Sequence, residues 1–162
     1  MSKRSTTHAT FVIERTYDAP RERVFSAWAD QASKSRWFGP GEEHELDFRV
    51  GGSEHLLARM DDGTAYSFDA VYQDIVEGER IIYSYDMHRD DVRISVSVTT
   101  VELLPSVEGT LLRFTEQGAF LDGEDSPDSR EHGTGKLLEA LGETLARASR
   151  GCPRRRGKRP AR

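Results

Sequence analysis

The amino-acid sequence predicts an α+β domain in which a curled antiparallel sheet of about six to seven strands wraps around a long C-terminal helix. Three features support this fold class. Short stretches of alternating apolar and polar residues, separated by turn residues, run through residues 46–116. Two short helical patterns follow the first strand, and a helical pattern of about 20 residues follows the last strand. A sheet whose concave face is covered by one helix can leave a hollow between them.

The first strand and the two short helices are predicted within residues 11–38. Residues 11–17 alternate between apolar and polar positions, as expected for a strand with one buried face. A narrow apolar face then predicts the first helix. We expect a second short helix to carry Trp37 and Phe38 and to end at Gly39, because the glycine and proline that follow favour a turn.

The remaining strands are separated by turns rich in glycine and aspartate. Ile94, Val96 and Val98 are predicted to share one face of their strand. The apolar positions then shift to Val101, which predicts a bulge at Thr99–Thr100. The strands are expected at residues 46–50, 53–60, 66–76, 80–87, 94–103 and 110–116.

A leucine stripe at helical spacing predicts the last helix, from about Ser129 to Ser149 and roughly 30 Å long. Gly133, Gly135 and Gly142 each weaken a helix by about 1 kcal/mol relative to alanine. We therefore expect close backbone packing to offset this loss. With this helix, the domain extends over residues 10–149.

Composition limits the protein to one core of ordinary size, since the chain has 162 residues of which 36% are hydrophobic. Mean hydropathy is -0.66, and no apolar run approaches the roughly 20 residues of a membrane-spanning helix. Residues 1–10 contain no apolar segment that could form the core of a signal peptide. We therefore expect a cytoplasmic protein without a membrane span.

The final residues, 150–162, form a basic segment with seven arginines and lysines and no acid, although the whole chain carries a net charge of -5. This segment lacks aromatic residues for base stacking, which argues against a nucleic-acid partner. A disordered, solvated tail is therefore expected. The single cysteine, Cys152, lies in this tail without a fixed histidine and is not a credible nucleophile.

Several short motifs follow one another in a characteristic order along the chain. They are Ala19-Pro20, Val24-Phe25, Ala27-Trp28, Trp37-Phe38-Gly39-Pro40, Asp47 with Arg49, Gly51-Gly52, Glu79-Arg80 and Gly109-Thr110. This set resembles the SRPBCC (START-like) superfamily, and within it the sequence is similar to bacterial homologues of the activator of the heat-shock-protein-90 ATPase, which are also grouped with polyketide cyclase-like proteins. The resemblance covers about residues 10–148 and implies a helix-grip fold with an apolar cavity. One departure is Thr134, because a tryptophan usually follows the glycine of the last helix in that family.

Two glutamates are the weak candidates for chemistry. The resemblance implies that the side chain at Glu54 points inward, and a similar argument applies to Glu116 on the last strand. Two carboxylates in an apolar hollow would have raised pKa values and could act as acid and base together with Tyr85. Alternatively, Glu54 lies at the rim or pairs with Arg59 or Arg113, and Glu116 is a solvated strand end.

The aromatic residues are first of all predicted core residues, and some of them are also expected to line a pocket. No metal is expected, since the five histidines show no recognised ligand spacing, and no cofactor is expected. The predicted ligand-binding residues are Trp37, Glu54, Tyr66, Phe68, Tyr83, Tyr85, Phe114, Glu116 and Phe120.

The sequence is compatible with three functions. The first is binding of a small hydrophobic or amphipathic molecule in the cavity. The second is a cyclase- or hydrolase-like enzyme that uses the cavity carboxylates. The third, implied by the family name, is a chaperone-interacting module with a role in the stress response, and a homodimer is also considered. The resemblance in fold implies a cavity, but it does not identify a reaction.

Overall fold

A computed structural model describes residues 3–39 and 41–150 of the chain, and it confirms the α+β helix-grip architecture. The described strands are β1 (Thr6–Tyr17), β2 (Glu43–Leu46), β3 (Ser53–Arg59), β4 (Ala65–Val76), β5 (Arg80–Arg89), β6 (Val92–Ser106) and β7 (Gly109–Leu121). The described helices are α1 (Arg21–Ala29), α2 (Gln31–Lys34) and α3 (Pro127–Arg150). Apart from Arg150, the predicted basic tail of residues 150–162 lies outside the described residues.

The seven described strands form one antiparallel sheet in the order β1-β7-β6-β5-β4-β3-β2. The chain's first and last strands are therefore neighbours, with Ile13 of β1 opposite Phe114 of β7. From β7 back to β2 each strand pairs with the one before it in the chain, and β1 and the helices bring residues from distant parts of the sequence onto this sheet. This topology places α3, which follows β7, next to β1.

The second helix is shorter than the sequence indicated. Trp37 and Phe38 were predicted to lie on it, but α2 ends at Lys34 and both aromatic residues follow in a turn. The Asp30 carboxylate accepts a hydrogen bond of 3.0 Å from the backbone N–H of Ser33 and so caps the start of α2. The turn after α2 directs Trp37 into the core, where it is buried.

A bulge in β6 lies at Ile94, and the prediction of a bulge at Thr99–Thr100 is wrong. Consecutive residues of β5 lie opposite Arg93 and Ser95, which leaves Ile94 as the extra residue. Ile94 and Ser95 are both buried, so the alternation of inward and outward side chains changes phase at this point. Beyond Ser95, the pairing of β6 with β5 and β7 is regular through Thr99–Thr100.

This change of phase decides which β6 side chains reach the interior. Val96 and Val98 do not share the face of Ile94; they lie on the outer face and are 44% and 40% exposed. The buried positions are taken by Ser97 and Thr99, with Ser95 before them. Because these side chains are small and polar, the centre of the concave face has room and hydrogen-bonding groups for a long side chain from the opposite layer.

The long helix α3 begins at Pro127, two residues before the predicted start at Ser129. The Ser126 hydroxyl accepts a hydrogen bond of 3.1 Å from the Ser129 backbone N–H and caps the helix, and proline fits the first helical position because it needs no amide partner. Leu138 is among the leucines of α3 that are buried against the sheet, and its carbonyl accepts a hydrogen bond of 2.6 Å from the Tyr17 hydroxyl. Within the described residues, no helix is both long enough and apolar enough to span a membrane.

The helical glycines differ in what surrounds them. A Cβ added at Gly142 would lie 3.0 Å from the Tyr17 ring, so the expected close packing is present there. A Cβ at Gly135 would make an ordinary contact of 3.5 Å with Arg15, and one at Gly133 would meet nothing within 4 Å. Close packing therefore does not explain Gly133.

Candidate functional site: an aromatic cavity with a buried arginine

A cavity of about 380 Å³ lies between the concave face of the sheet and α3. The sheet supplies its walls from β4, β5, β6 and β7, and residues of α1 and of the turn after α2 close one end. Most of the lining is aromatic or aliphatic. The lining residues are Trp28, Trp37, Phe38, Tyr66, Phe68, Tyr83, Tyr85, Met87, Arg89, Ile94, Phe114, Glu116, Glu124, Asp125, Ser129, Arg130, Gly133, Thr134, Leu137 and Leu138.

The structure brings seven of the nine predicted ligand-binding residues together around this cavity. Glu54 and Phe120 do not line it: Glu54 belongs to a separate buried cluster, and Phe120 lies under the guanidinium of Arg130 at 5.3 Å. That any of these residues binds a ligand stays a prediction. The seven are Trp37, Tyr66, Phe68, Tyr83, Tyr85, Phe114 and Glu116.

The mouth of the cavity lies at the first turns of α3. Ser129 and Gly133 are solvent-exposed and also belong to the lining, so the cavity meets solvent beside them. Across from them, Arg89 of β5 forms an ion pair with Glu124 and donates a hydrogen bond of 2.8 Å to its carbonyl oxygen. This pair connects the end of the sheet to the loop before α3.

Arg130 crosses from α3 to the sheet and is the centre of a buried polar cluster. Its Nη1 donates hydrogen bonds to the Tyr85 hydroxyl at 2.6 Å and to Glu116 Oε2 at 3.3 Å. Its Nη2 donates to Ser95 Oγ at 2.7 Å and to Asp125 Oδ2 at 2.8 Å. Arg130 is only 8% exposed, so two carboxylates and two hydroxyls compensate a cation that is almost entirely out of water.

Glu116 and Tyr85 form the inner part of this Arg130 cluster. The Tyr85 hydroxyl donates a hydrogen bond of 2.8 Å to Glu116 Oε1, and Ser97 Oγ donates one of 3.2 Å to Oε2. Burial raises the pKa of Glu116 above its usual value, although Arg130 and these hydrogen bonds oppose the increase. Burial and the neighbouring Glu116 carboxylate raise the pKa of Tyr85, which therefore remains a neutral donor. The suggestion that Glu116 is a solvated strand end is wrong, because it is 1% exposed.

Gly118 makes the geometry of the Arg130 cluster possible. It lies opposite Ser97 on the neighbouring strand, and a Cβ at this position would come within 3.0 Å of Ser97 Oγ and 2.9 Å of the Phe120 ring. A larger residue would push away the hydroxyl that Ser97 directs at Glu116. The glycine therefore leaves space beside the carboxylate.

Glu54 lies in a second buried cluster, on the other side of the aromatic wall. Its Oε1 accepts hydrogen bonds from Lys34 Nζ at 2.5 Å and from the Tyr72 hydroxyl at 2.7 Å, and its Oε2 lies 2.7 Å from His44 Nε2. Burial alone would raise the pKa of Glu54, but Lys34 and these hydrogen bonds lower it below its usual value. Lys34 is completely buried, with Nζ 4.4 Å from the centre of the Phe38 ring.

The alternative ion-pair partners suggested for Glu54 are therefore wrong. Arg59 pairs with Glu42, and Arg113 pairs with Glu14 on the neighbouring strand β1. Glu54 also does not converge with Glu116, because the two carboxylates belong to different clusters with different partners. An acid–base pair of these two glutamates is thus not supported by their positions.

Sequence reasoning missed Arg130 and Lys34 because long cationic side chains are almost always exposed. One signal for Arg130 was present. Ser95, Ser97 and Thr99 alternate along a strand that pairs with the aromatic strand β5, and small polar residues at inward positions need a polar partner. Lys34 had no comparable signal, since its carboxylate partner lies 20 residues further along the chain.

On the outer face of the sheet, Asp69, Asp86 and His88 bring three potential metal-ligand atoms within 4.8 Å of one another. Both carboxylates have protein partners. Asp69 lies 2.7 Å from His55 Nδ1, and Asp86 accepts a hydrogen bond of 3.1 Å from Arg93. These contacts account for the group as a surface ion-pair network, and we assign no metal to it.

Comparisons with known proteins agree with the fold and the motifs. The chain resembles an uncharacterized protein from Rhizobium leguminosarum with a TM-score of 0.87 and 43% identity, over 89% of this chain and 98% of that one. It resembles Mll3558 from Rhizobium loti with a TM-score of 0.82 and 50% identity, over 86% and 99% of the two chains. Among curated proteins, none matches. The family model described as activator of Hsp90 ATPase homolog 1-like protein matches residues 18–146. The chain therefore belongs to this family of the SRPBCC (START-like) superfamily.

Proposed function

We propose that the protein binds a small amphipathic molecule in the cavity between the sheet and α3. The observation that carries this proposal is the cavity itself. Its volume of about 380 Å³ lies within the usual range for small-molecule sites, and most of its lining residues are aromatic or aliphatic. A ligand's apolar part would replace water against the rings, and its polar end would lie near the Arg130 cluster.

A direct test uses the two tryptophans of the chain as reporters. Trp28 and Trp37 are the only tryptophans in the sequence, and both line the cavity. Titration with octan-1-ol, which does not absorb where tryptophan does, should change their fluorescence in a saturable way. A linear or absent response would count against the proposal.

A matched pair of variants at the mouth distinguishes cavity binding from adsorption elsewhere. A Cβ at Gly133 meets no atom within 4 Å, so both Gly133→Leu and Gly133→Ala can be accommodated, and both improve helix propensity. Leucine would obstruct the mouth, whereas alanine adds a single methyl group. We expect Gly133→Leu to weaken octanol binding by about ten-fold or more, which corresponds to ~1.4 kcal/mol, and Gly133→Ala to bind nearly as wild type. Equal binding by all three proteins would refute this site.

A second candidate function, acid–base catalysis on the bound molecule, is favoured by one observation. The Tyr85 hydroxyl and the Glu116 carboxylate lie 2.8 Å apart in the cavity wall, and a carboxyl group with a raised pKa can hold and release a proton at higher pH than an ordinary carboxyl group. If a compound that copurifies with the protein is chemically changed by it, Glu116→Gln should abolish the change but retain binding. Unaltered compound after prolonged incubation with wild type would leave binding as the function.

The other predictions about partners and location remain predictions. A chaperone partner or a homodimer would need an apolar contact surface, and the exposed valines Val96 and Val98 on the outer face are candidates for it. Capture of a chaperone by wild type but not by a Val96→Glu/Val98→Glu variant would support such a module. A cytoplasmic location can be tested by fractionation of the host cell.

A further inference from the structure

The charged groups that line the cavity are already paired with one another. Two guanidinium groups and three carboxylates belong to the lining. Arg89 pairs with Glu124, and Arg130 pairs with both Glu116 and Asp125. The lining therefore offers a ligand no unpaired cation, and with every group ionised the carboxylates exceed the guanidiniums by one.

An anionic ligand is disfavoured by this arrangement. Its carboxylate would be a fourth negative group beside Glu116 and Asp125, and it could reach Arg130 only by displacing one of these partners. Like charges a few ångströms apart in a partly buried site repel strongly, and the ligand would also lose its hydration.

A cationic ligand finds no vacant partner at the Arg130 end of the cavity. Glu116 Oε1 accepts from Tyr85 and Oε2 from Ser97 and Arg130. Asp125 Oδ1 accepts from the backbone N–H of Ser126, and Oδ2 accepts from Arg130. An ammonium group at this end would lose water without gaining a carboxylate that lacks donors, and it would lie near the Arg130 cation. The third carboxylate, Glu124 at the mouth, already pairs with Arg89 through Oε2.

Thr134 is the polar side chain best placed to bind a neutral group. It is 8% exposed, lines the cavity and lies one helical turn after Arg130 on α3. Its hydroxyl has no hydrogen-bond partner among the residues that the structure describes. Thr144 of the same helix, in contrast, donates a hydrogen bond of 2.9 Å to the Ala140 carbonyl. A hydroxyl in the cavity wall without a protein partner can be satisfied by a ligand. The indole N–H of Trp28, on the α1 side of the cavity, is buried without a partner as well and can donate to the same uncharged polar group.

We infer that the cavity selects an uncharged amphipathic ligand, an alcohol- or carbonyl-bearing molecule, and that Thr134 hydrogen-bonds its polar atom. This inference rests on the proposed ligand-binding function and adds the chemical class of the ligand and a specificity-determining residue. The apolar lining binds the hydrophobic part of the molecule. The charged lining groups are paired with one another, and this pairing disfavours a charged head group.

Three probes with the same alkyl chain test the charge selection: octan-1-ol, octylammonium and octanoate, each titrated while tryptophan fluorescence is recorded. Octanol should bind most tightly and octanoate at least about ten-fold more weakly, with octylammonium also weaker than octanol. Either ion binding as tightly as octanol would overturn the inference.

Thr134→Val and Thr144→Val test the hydrogen bond with the same substitution on one helix. Valine is close in shape to threonine, and at Thr134 no hydrogen bond within the described protein is lost, so the variant should fold. We expect Thr134→Val to weaken octanol binding about three- to ten-fold, whereas Thr144→Val leaves it unchanged. Equal affinity of Thr134→Val and wild type would refute the role of Thr134. If no probe binds wild type at all, the proposed function itself fails, and that result differs from tight binding of octanoate.

Discussion

Removing the charge of Lys34 should destabilise the protein strongly, because it would leave Glu54 as a buried carboxylate without a cation. Lys34 is fully buried and Glu54 is 2% exposed, with 2.5 Å between Nζ and Oε1. Methionine matches the length of the lysine stem and adds no polar group. Breaking a buried ion pair from one side costs about 3–5 kcal/mol, even where other donors, here Tyr72 and His44, stay in contact with the carboxylate.

The expected loss is large relative to the total stability of about 5–15 kcal/mol of an ordinary domain. At about 2–4 °C per kcal/mol for a chain of this size, the melting temperature of Lys34→Met should fall by roughly 6–20 °C. Differential scanning calorimetry and urea unfolding measure both quantities. Lys136→Met is the control, since Lys136 is exposed on α3 and its loss should cost less than about 0.5 kcal/mol.

The double variant Lys34→Met/Glu54→Gln separates loss of the charge pair from loss of packing. A glutamine at position 54 removes the uncompensated charge and can still accept the Tyr72 hydrogen bond at its amide oxygen. We expect the double variant to recover at least about half of the stability lost in Lys34→Met, because neutral replacement of a buried pair is often tolerated. A single variant as stable as wild type, or a double variant no better than Lys34→Met, would refute this reasoning.

Three further predictions concern the Arg130 cluster and the packing of α3. Because burial raises the pKa of Glu116 from 4.5, the folded protein retains a proton that the unfolded chain has lost, so wild type loses stability as pH rises through this window. Glu116→Gln should therefore gain in melting temperature relative to wild type as the pH rises above the ordinary carboxyl pKa of 4.5, and a constant difference would contradict this. Gly133→Ala should stabilise by about 1 kcal/mol and Gly142→Ala by clearly less, since its Cβ would press on Tyr17 at 3.0 Å, and urea unfolding compares them. Tyr17→Phe should cost about 1 kcal/mol in the same assay through loss of its hydrogen bond to α3, and an unchanged midpoint would show that this bond contributes nothing.

The fold could be predicted because the local signals agree with the final architecture. Strand alternation, turn residues and the leucine stripe all point to the same order of elements, and the resemblance supplied the curl of the sheet around α3. The errors in β6 arose because one extra residue changes the alternation of inward and outward side chains. The extra residue Ile94 turns Ser95 inward and places Val96 on the outer face. The apolar pattern alone does not reveal where a bulge lies, so it cannot tell which side chains beyond the bulge point inward.

The candidate site could be predicted only in part, because aromatic residues and cations give different signals. The aromatic lining followed from the alternation of β4, β5 and β7, since buried rings are ordinary core residues that can also border a hollow. Arg130 and Lys34 could not be placed, because a buried cation is determined by partners on distant elements. The partner of Arg130 at Tyr85, for example, lies 45 residues earlier in the chain.

Native mass spectrometry of protein purified from its own host tests the central claim most directly, namely that the cavity holds a small molecule. We expect wild type to carry an additional mass that is released on unfolding, corresponding to an uncharged compound, and Gly133→Leu to carry none. A wild-type protein with no added mass, which also fails to bind octanol at its solubility limit, would contradict the account. Equal retention of the compound by Gly133→Leu would contradict it as well, because the molecule would then lie outside the cavity.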